Sequence, residues 1–163
     1  MANAYFYQRR YDEATRAYEQ SIRYNQTDAV LWWNLGDGYY WTPGKRAQSA
    51  GAYRRAISLA NTRLQVNPKD SFVLGILSIC HAMLGEKKPA LASLQKGLQL
   101  APADPEMAFK AALIYTQFGD TPQALSWLEK ALSEGYSPIT VRDTPNFDHL
   151  RTDPRFQELL RAK

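Results

Sequence analysis

Thirty-four residues separate Tyr5 from Tyr39, Ala56 from Ala90, Pro68 from Pro102, His81 from Tyr115 and Ala90 from Ala124. A fixed period of this length marks a helical repeat array, in which each unit is a helix pair that buries its apolar face only against its neighbours. The period constrains architecture and broad role together. Stacked helix pairs present extended binding surfaces and seldom form catalytic pockets. The predicted fold class is all-α, a solenoid of antiparallel helix pairs.

Composition agrees with a folded array. The 163 residues are 45% hydrophobic and 22% charged, enough for one continuous core. The formal charge of +4 is mild, and the pairs Arg9/Arg10, Lys45/Arg46, Arg54/Arg55 and Lys87/Lys88 are dispersed among carboxylates. Phosphate tracking needs a concentrated basic stripe, so a nucleic-acid partner is not expected. Cys80 is the only cysteine, which excludes an intramolecular disulfide and a cysteine-based zinc cage. His81 and His149 lie far apart in sequence, and no metal or cofactor is expected. No apolar run approaches the length of about 18 residues needed to span a membrane, and the first ten residues lack the order of a signal peptide. Membrane insertion is therefore not expected, and a cytoplasmic location is.

Residues 32 to 39 read Trp-Trp-Asn-Leu-Gly-Asp-Gly-Tyr, which fits W-x2-L-G-x2-Y through Trp32, Leu35, Gly36 and Tyr39. The second half of the pattern, A-x3-F followed by Pro, appears as Ala90/Leu94/Pro102 and Ala124/Leu128, and as Ala14/Tyr18 with Gln26 in the proline slot. In this register the second repeat places Ala56 in the small slot and Ala60 in the large one. Gly36, Ala90 and Ala124 suit close helix approach, while Tyr39, Leu94 and Leu128 fill the space between layers. Pro68 and Pro102 stop helices, and Asp28, Asp70 and Asp104 follow in register as caps for the next.

One spacing departs from the period. Tyr5 to Ala14, His81 to Ala90 and Tyr115 to Ala124 each take nine residues, whereas Tyr39 to Ala56 takes seventeen. Eight residues are therefore inserted, and the register places them around Trp41 to Gly51. At about 3.6 residues per turn they add slightly more than two helical turns. Pro43-Gly44 reads as the turn and Lys45 to about Val66 as one long helix, its apolar stripe running through Ala47, Ala50, Tyr53, Ile57, Ala60 and Leu64. The extension is either a partner-specific feature or variation in a tolerant loop.

The repeats fall at about 1–28 (partial), 29–70 (with the insertion), 71–104 and 105–138, giving an array over 1–136 and a cap over 137–163. The first repeat lacks most of its first helix, so the chain is expected to be cut from something longer. Its Tyr5, Phe6 and Tyr7 would be exposed there and available for end-to-end assembly of copies. Past Tyr136 the period is lost. Asn146–Leu150 and Asp153–Arg161 are helical candidates whose Phe147, Leu150, Phe156, Leu159 and Leu160 would cover the last repeat.

Period and signature together resemble the tetratricopeptide-repeat family over about residues 5 to 136. The resemblance implies about three and a half repeats in a right-handed superhelix, with a concave wall lined by first-helix residues that takes peptides, extended segments or helices. Asn34 to Arg46 and Phe147 to Phe156 also look like the repeat regions following effector domains in large bacterial signalling proteins, such as serine/threonine kinases and adenylate-cyclase-like regulators. An in-cis regulatory tail is one role this implies.

The wall positions implied by the family are Trp33, Asn34, Asp37, Tyr40 and Trp41 in the second repeat. The third supplies Phe72, Gly75, Ile76, Ile79 and Met83, and the fourth Phe109, Lys110, Leu113 and Gln117. Family members that clasp acidic chaperone tails use Lys, Asn and Arg here, and only Asn34 and Lys110 match. An aromatic and aliphatic wall suits instead a protein or peptide of apolar or amphipathic character, with Trp33 and Phe109 as anchors. The competing reading is burial within the chain, above all for Ile76 and Ile79.

Catalytic motifs are incomplete. Gly38 and Gly44-Lys45 enclose five residues where a phosphate loop has four, and Arg46 stands where Ser or Thr would reach magnesium. Val141-Arg142-Asp143 lacks every companion element of a kinase. Cys80 and His81 are helix neighbours pointing about 100 degrees apart, a poor nucleophile and base pair, and His81 occupies a recurrent packing slot. The chain is expected to bind rather than to catalyse.

Overall fold

The computed structural model describes residues 2–161, and among them every regular element is helical. The array comprises α1 (Ala2–Tyr7), α2 (Tyr11–Tyr24), α3 (Ala29–Trp41), α4 (Arg46–Val66), α5 (Ser71–Met83), α6 (Lys87–Leu100), α7 (Pro105–Gln117) and α8 (Thr121–Ser133). Then come α9 (Pro138–Asp143), a 3-10 turn (Pro145–Leu150) and α10 (Pro154–Arg161). Each array helix packs mainly on its neighbours in sequence, and α7 also lies directly on α5.

Aspartates open the helices as their spacing requires. Asp28 accepts from the Val30 N–H at 2.8 Å, Asp70 from Val73 at 3.1 Å and Asp104 from Glu106 at 2.9 Å, each satisfying a donor the helix leaves free. Trp32 fixes the entry to α3 by donating its indole N–H to the Gln26 carbonyl at 2.9 Å.

The buried stripes reveal where the extra residues of the second repeat lie. The fourth residue of α2, α4, α6 and α8 is Ala14, Ser49, Ala90 and Ala124, all buried. The eighth is Tyr18, Tyr53, Leu94 and Leu128, none more than 3% exposed. The small and large slots of the second repeat are therefore Ser49 and Tyr53, not Ala56 and Ala60. The turn before α4 is only one residue longer than those before α6 and α8, so most of the insertion extends the C-terminal end of α4 rather than the hairpin. Ala56 follows Ser49 by two helical turns on the same face, so its 34-residue spacing to Ala90 mimics the register. The same shift moves the apolar stripe: Ala47 is exposed, and Ser49, Ala52, Tyr53, Ala56 and Ala60 are buried.

The overhanging turns of α4 have their own small core. Ala60 packs with Val73 and Leu77 of α5, supported by Leu64, and Arg63 pairs with Asp70 at 3.2 Å. Val66, at the tip, is 86% exposed.

Glycines set how closely some of the helices approach. A Cβ on Gly36 would stand 2.4 and 2.5 Å from ring carbons of Tyr53, and one on Gly75 would stand 2.8 Å from Lys110 Cδ. Tyr53 is fully buried and tied by its hydroxyl, so it has little room to yield. Gly36→Ala is expected to lower stability by about 2 kcal/mol, overpacking outweighing the roughly 1 kcal/mol that alanine gains in a helix. A urea midpoint at or above that of the parent would show that the ring moves aside.

The cap joins the array's main core through Val141, Phe147, Leu150 and Phe156, with Leu159 and Leu160 part-buried beside it. Helix α9, capped by Ser137 accepting from the Thr140 N–H at 3.2 Å, is an element that the loss of period concealed. The cap also reaches the other end of the chain. Arg9, at a φ of 61°, donates two hydrogen bonds of 2.6 Å to the carboxylate of Asp148, which also accepts from Arg151 at 2.8 Å. Those arginines hold the Asp148 carboxyl below its usual range. Phe6 is correspondingly 9% exposed and packs with Ala14, Tyr18 and Leu35, so the expected exposed N-terminal face is largely used within the chain; Tyr7 remains 37% exposed.

Candidate functional site

Helices α3, α5 and α7 turn successive residues of one face toward a common hollow, and α1 and the cap close around it. The result is a half-open cavity of about 280 Å³. Trp33, Asn34 and Asp37 of α3, Phe72 of α5, and Phe109, Lys110 and Leu113 of α7 all line it. Seven of the residues anticipated from sequence are thereby brought together.

The others lie elsewhere, for packing reasons. Ile76 and Ile79 are 1% exposed and Met83 is 9% exposed, because α7 crosses close over Gly75 and covers that part of α5. These three are core residues. Trp41 stacks on Tyr11 with ring centroids 6.1 Å apart, facing α2. Tyr40 lies under the Arg46 guanidinium, which stands 4.0 Å from its ring centroid and also donates to its hydroxyl. Gln117 is part-buried and outside the lining.

Several lining residues lie outside the anticipated set. Val30 and Glu106 hold in their helices the place Phe72 holds in α5, two residues past the capping aspartate, so the register itself could have identified them. Asn3, Phe6, Tyr7 and Tyr18 come from the first repeat, Tyr136 from the end of the fourth, and Thr144 and Asn146 from the cap. These depend on the curvature of the whole array, which no local pattern encodes.

Phe109 is a wall rather than a free anchor. Its ring stacks on Tyr136 at 4.2 Å and 15°, and meets Phe147 edge-on at 5.8 Å and 76°. Phe72, by contrast, is 44% exposed, and Trp33 is part-buried.

The polar groups of the cavity are few and unusual. Lys110 is 1% exposed; its ammonium pairs with Glu106 at 2.9 Å and stands 5.9 Å from the Trp33 ring and 5.4 Å from that of Phe72. A carboxylate and two aromatic faces thus hold one cation inside the wall. Asp37 accepts a 2.7 Å hydrogen bond from the Tyr53 hydroxyl. Burial pushes its carboxyl up from 3.8 to about 7, while Tyr53 and the nearby Trp33 indole favour the charged form and offset this only in part. The Trp33 N–H is itself buried without a hydrogen-bond acceptor. Burial also pushes Tyr7 up to about 12 and raises Tyr18 and Tyr53, so these phenols stay neutral.

Cys80 is fully buried and its thiol is raised well above the ordinary range, while His81 Nδ1 is engaged with Glu86 at 2.5 Å. Among the described residues no group of three His, Cys, Asp or Glu is placed to hold a metal ion, and no helix is long and apolar enough to cross a membrane.

A sequence profile of the tetratricopeptide repeat matches residues 1–62 and 84–137. Among solved structures, the chain is similar to TTC0263, a thermophilic tetratricopeptide-repeat protein of Thermus thermophilus. The identity is 22%, over 90% of this chain and 77% of that one, with a TM-score of 0.56. A crystal structure of MamA is similar at 18% identity, over 99% of this chain and 91% of that one, with a TM-score of 0.52. At these identities the likeness is one of fold.

Proposed function

Because the chain belongs to the tetratricopeptide-repeat family, we propose that it is a protein-interaction module whose curved inner face receives an apolar or amphipathic segment of a partner. The observation that carries this reading is the half-open cavity of about 280 Å³, walled by Tyr7, Trp33, Phe72 and Phe109 and furnished with a few polar groups. Concave, mostly apolar sites of this kind bury a ligand's surface and use sparse polar contacts to orient it. Trp33 and Phe72 replace Trp33 and Phe109 as the anchoring pair, since Phe109 is enclosed by Tyr136 and Phe147.

Peptides selected from a random display library against the folded protein supply the test. Replacing Trp33 and Phe72 together with alanine is expected to weaken their binding by about ten- to a hundredfold, the usual cost of removing two aromatic anchors. Circular dichroism checks that the variant is folded. Equal affinity in a folded variant would exclude the cavity as the receptor.

The setting within a larger bacterial signalling protein rests on the resemblance of Asn34 to Arg46 and Phe147 to Phe156 alone, and the sequence of the surrounding gene tests it.

A further inference from the structure

The cavity already shows how it holds a cation: Lys110 is stabilised there by one carboxylate and the faces of Trp33 and Phe72. A second carboxylate of the same cavity has no cation. Asp37 lines the cavity beside Trp33, together with Tyr7 of α1, and has no Lys or Arg partner among the described residues. Of the ionisable residues lining the cavity other than tyrosines, Asp37 and Glu106 are acidic and Lys110 alone is basic, so an ionised Asp37 leaves one negative charge uncompensated.

We propose that Asp37, in the cavity it shares with the rings of Tyr7 and Trp33, forms a cation subsite that takes the guanidinium of an arginine presented by a partner protein. This rests on the reading of the cavity as the partner-binding site and specifies what the apolar segment must carry. Arginine fits better than lysine: its planar, weakly hydrated head stacks on aromatic rings while donating to a carboxylate. The half-open cavity, at about 280 Å³, is large enough to admit a side chain. A carboxylate desolvated without a counter-ion is destabilised, and an arriving cation removes that penalty. The raised Asp37 carboxyl is consistent with such a vacancy.

Three small probes test the subsite on the intact protein: N-acetyl-arginine amide, its uncharged isostere N-acetyl-citrulline amide, and N-acetyl-norleucine amide. Nuclear magnetic resonance follows the Trp33 indole N–H. The arginine probe is expected to shift that resonance and to bind at least about tenfold more tightly than citrulline. Asp37→Asn should abolish the difference while remaining folded. Affinity for the arginine probe should also fall between about pH 8 and pH 5, as Asp37 takes up a proton. The other titratable groups nearby are Tyr7 of α1, Tyr18 of α2, Tyr53 of α4, Cys80 of α5, the Glu106–Lys110 pair of α7 and Tyr136. The phenols and the thiol, all raised, keep their protons throughout this window.

Equal binding of arginine and citrulline, or undiminished arginine binding by Asp37→Asn, would overturn the proposal. If norleucine still shifted the cavity resonances, the apolar-partner reading would survive that failure. If no probe shifted them, both readings would fall.

Discussion

Phe147→Ala is expected to destabilise the protein by about 3–5 kcal/mol, a fall in melting temperature of roughly 10 °C for a chain of this length. Phe147 is 1% exposed and joins three parts of the molecule. It meets the edge of Phe109 on α7 at 5.8 Å and lies 6.2 Å from Phe156 of α10, while Phe109 in turn stacks on Tyr136. Truncation opens a void that these rings cannot fill without giving up their own contacts, which is the condition for a cost at the upper end. The back wall of the cavity, formed by Phe109, Tyr136 and Asn146, should loosen as well. Leu160→Ala serves as a control, because Leu160 is only part-buried on the last helix. Calorimetry of both variants decides the matter: similar small losses would mean that the cap adheres to the array without being built into its core.

Asp37→Asn is expected to stabilise the protein at pH 8 by about 2 kcal/mol and to change little near pH 4. In the unfolded chain this carboxyl ionises around its ordinary value of 3.8; in the folded one it holds its proton up to about pH 7. Between those values the folded state binds more protons than the unfolded state. The contribution of Asp37 to stability therefore declines as pH rises through this window and is flat above it. The asparagine keeps an oxygen to accept the 2.7 Å hydrogen bond from Tyr53 and carries no charge to desolvate. The expected gain is smaller than the full shift implies because Asp37 keeps contact with the water of the cavity. Comparing melting temperatures of parent and variant across pH isolates this group, since pairs such as Arg9 with Asp148 contribute equally to both. A difference independent of pH would place the Asp37 carboxyl in its ordinary range.

Local signals in the sequence were enough to locate the array helices and three of their caps. Trp32, Leu35, Gly36 and Tyr39 announce α3, and Asp28, Asp70 and Asp104 cap helices where their spacing puts them. The long helix through Val66 was also legible, because an amphipathic stripe needs only the residues along it. The position of the insertion was not. Alanine recurs along one face of α4, and a period counted from Ala56 cannot be told from one counted from Ser49 until Tyr53 is seen filling the large slot. For the site, register brought Trp33, Asp37, Phe72 and Phe109 to one face, and the same register carried to Val30 and Glu106 would have added them. The burial of Ile76, Ile79 and Lys110 depends on how closely α7 approaches α5 at Gly75, a property of two helices 34 residues apart. The meeting of Arg9 with Asp148 of the cap depends on small rotations summed over every helix pair, so no window of sequence contains it.

The contact between Arg9 and Asp148 spans 139 positions of the chain. A linear stack of helix pairs behaves as a row of weakly coupled units, in which the terminal ones open and close on their own. Here the turn after the first helix and the 3-10 turn of the cap are joined by this ion pair, so opening either end breaks it. Exposed at 41% and 39%, the ion pair is itself worth little, but it links the two ends of the array. Its consequence is kinetic: forming it closes a loop of almost the whole chain, a pairing that raises the contact order of a fold otherwise made from neighbours.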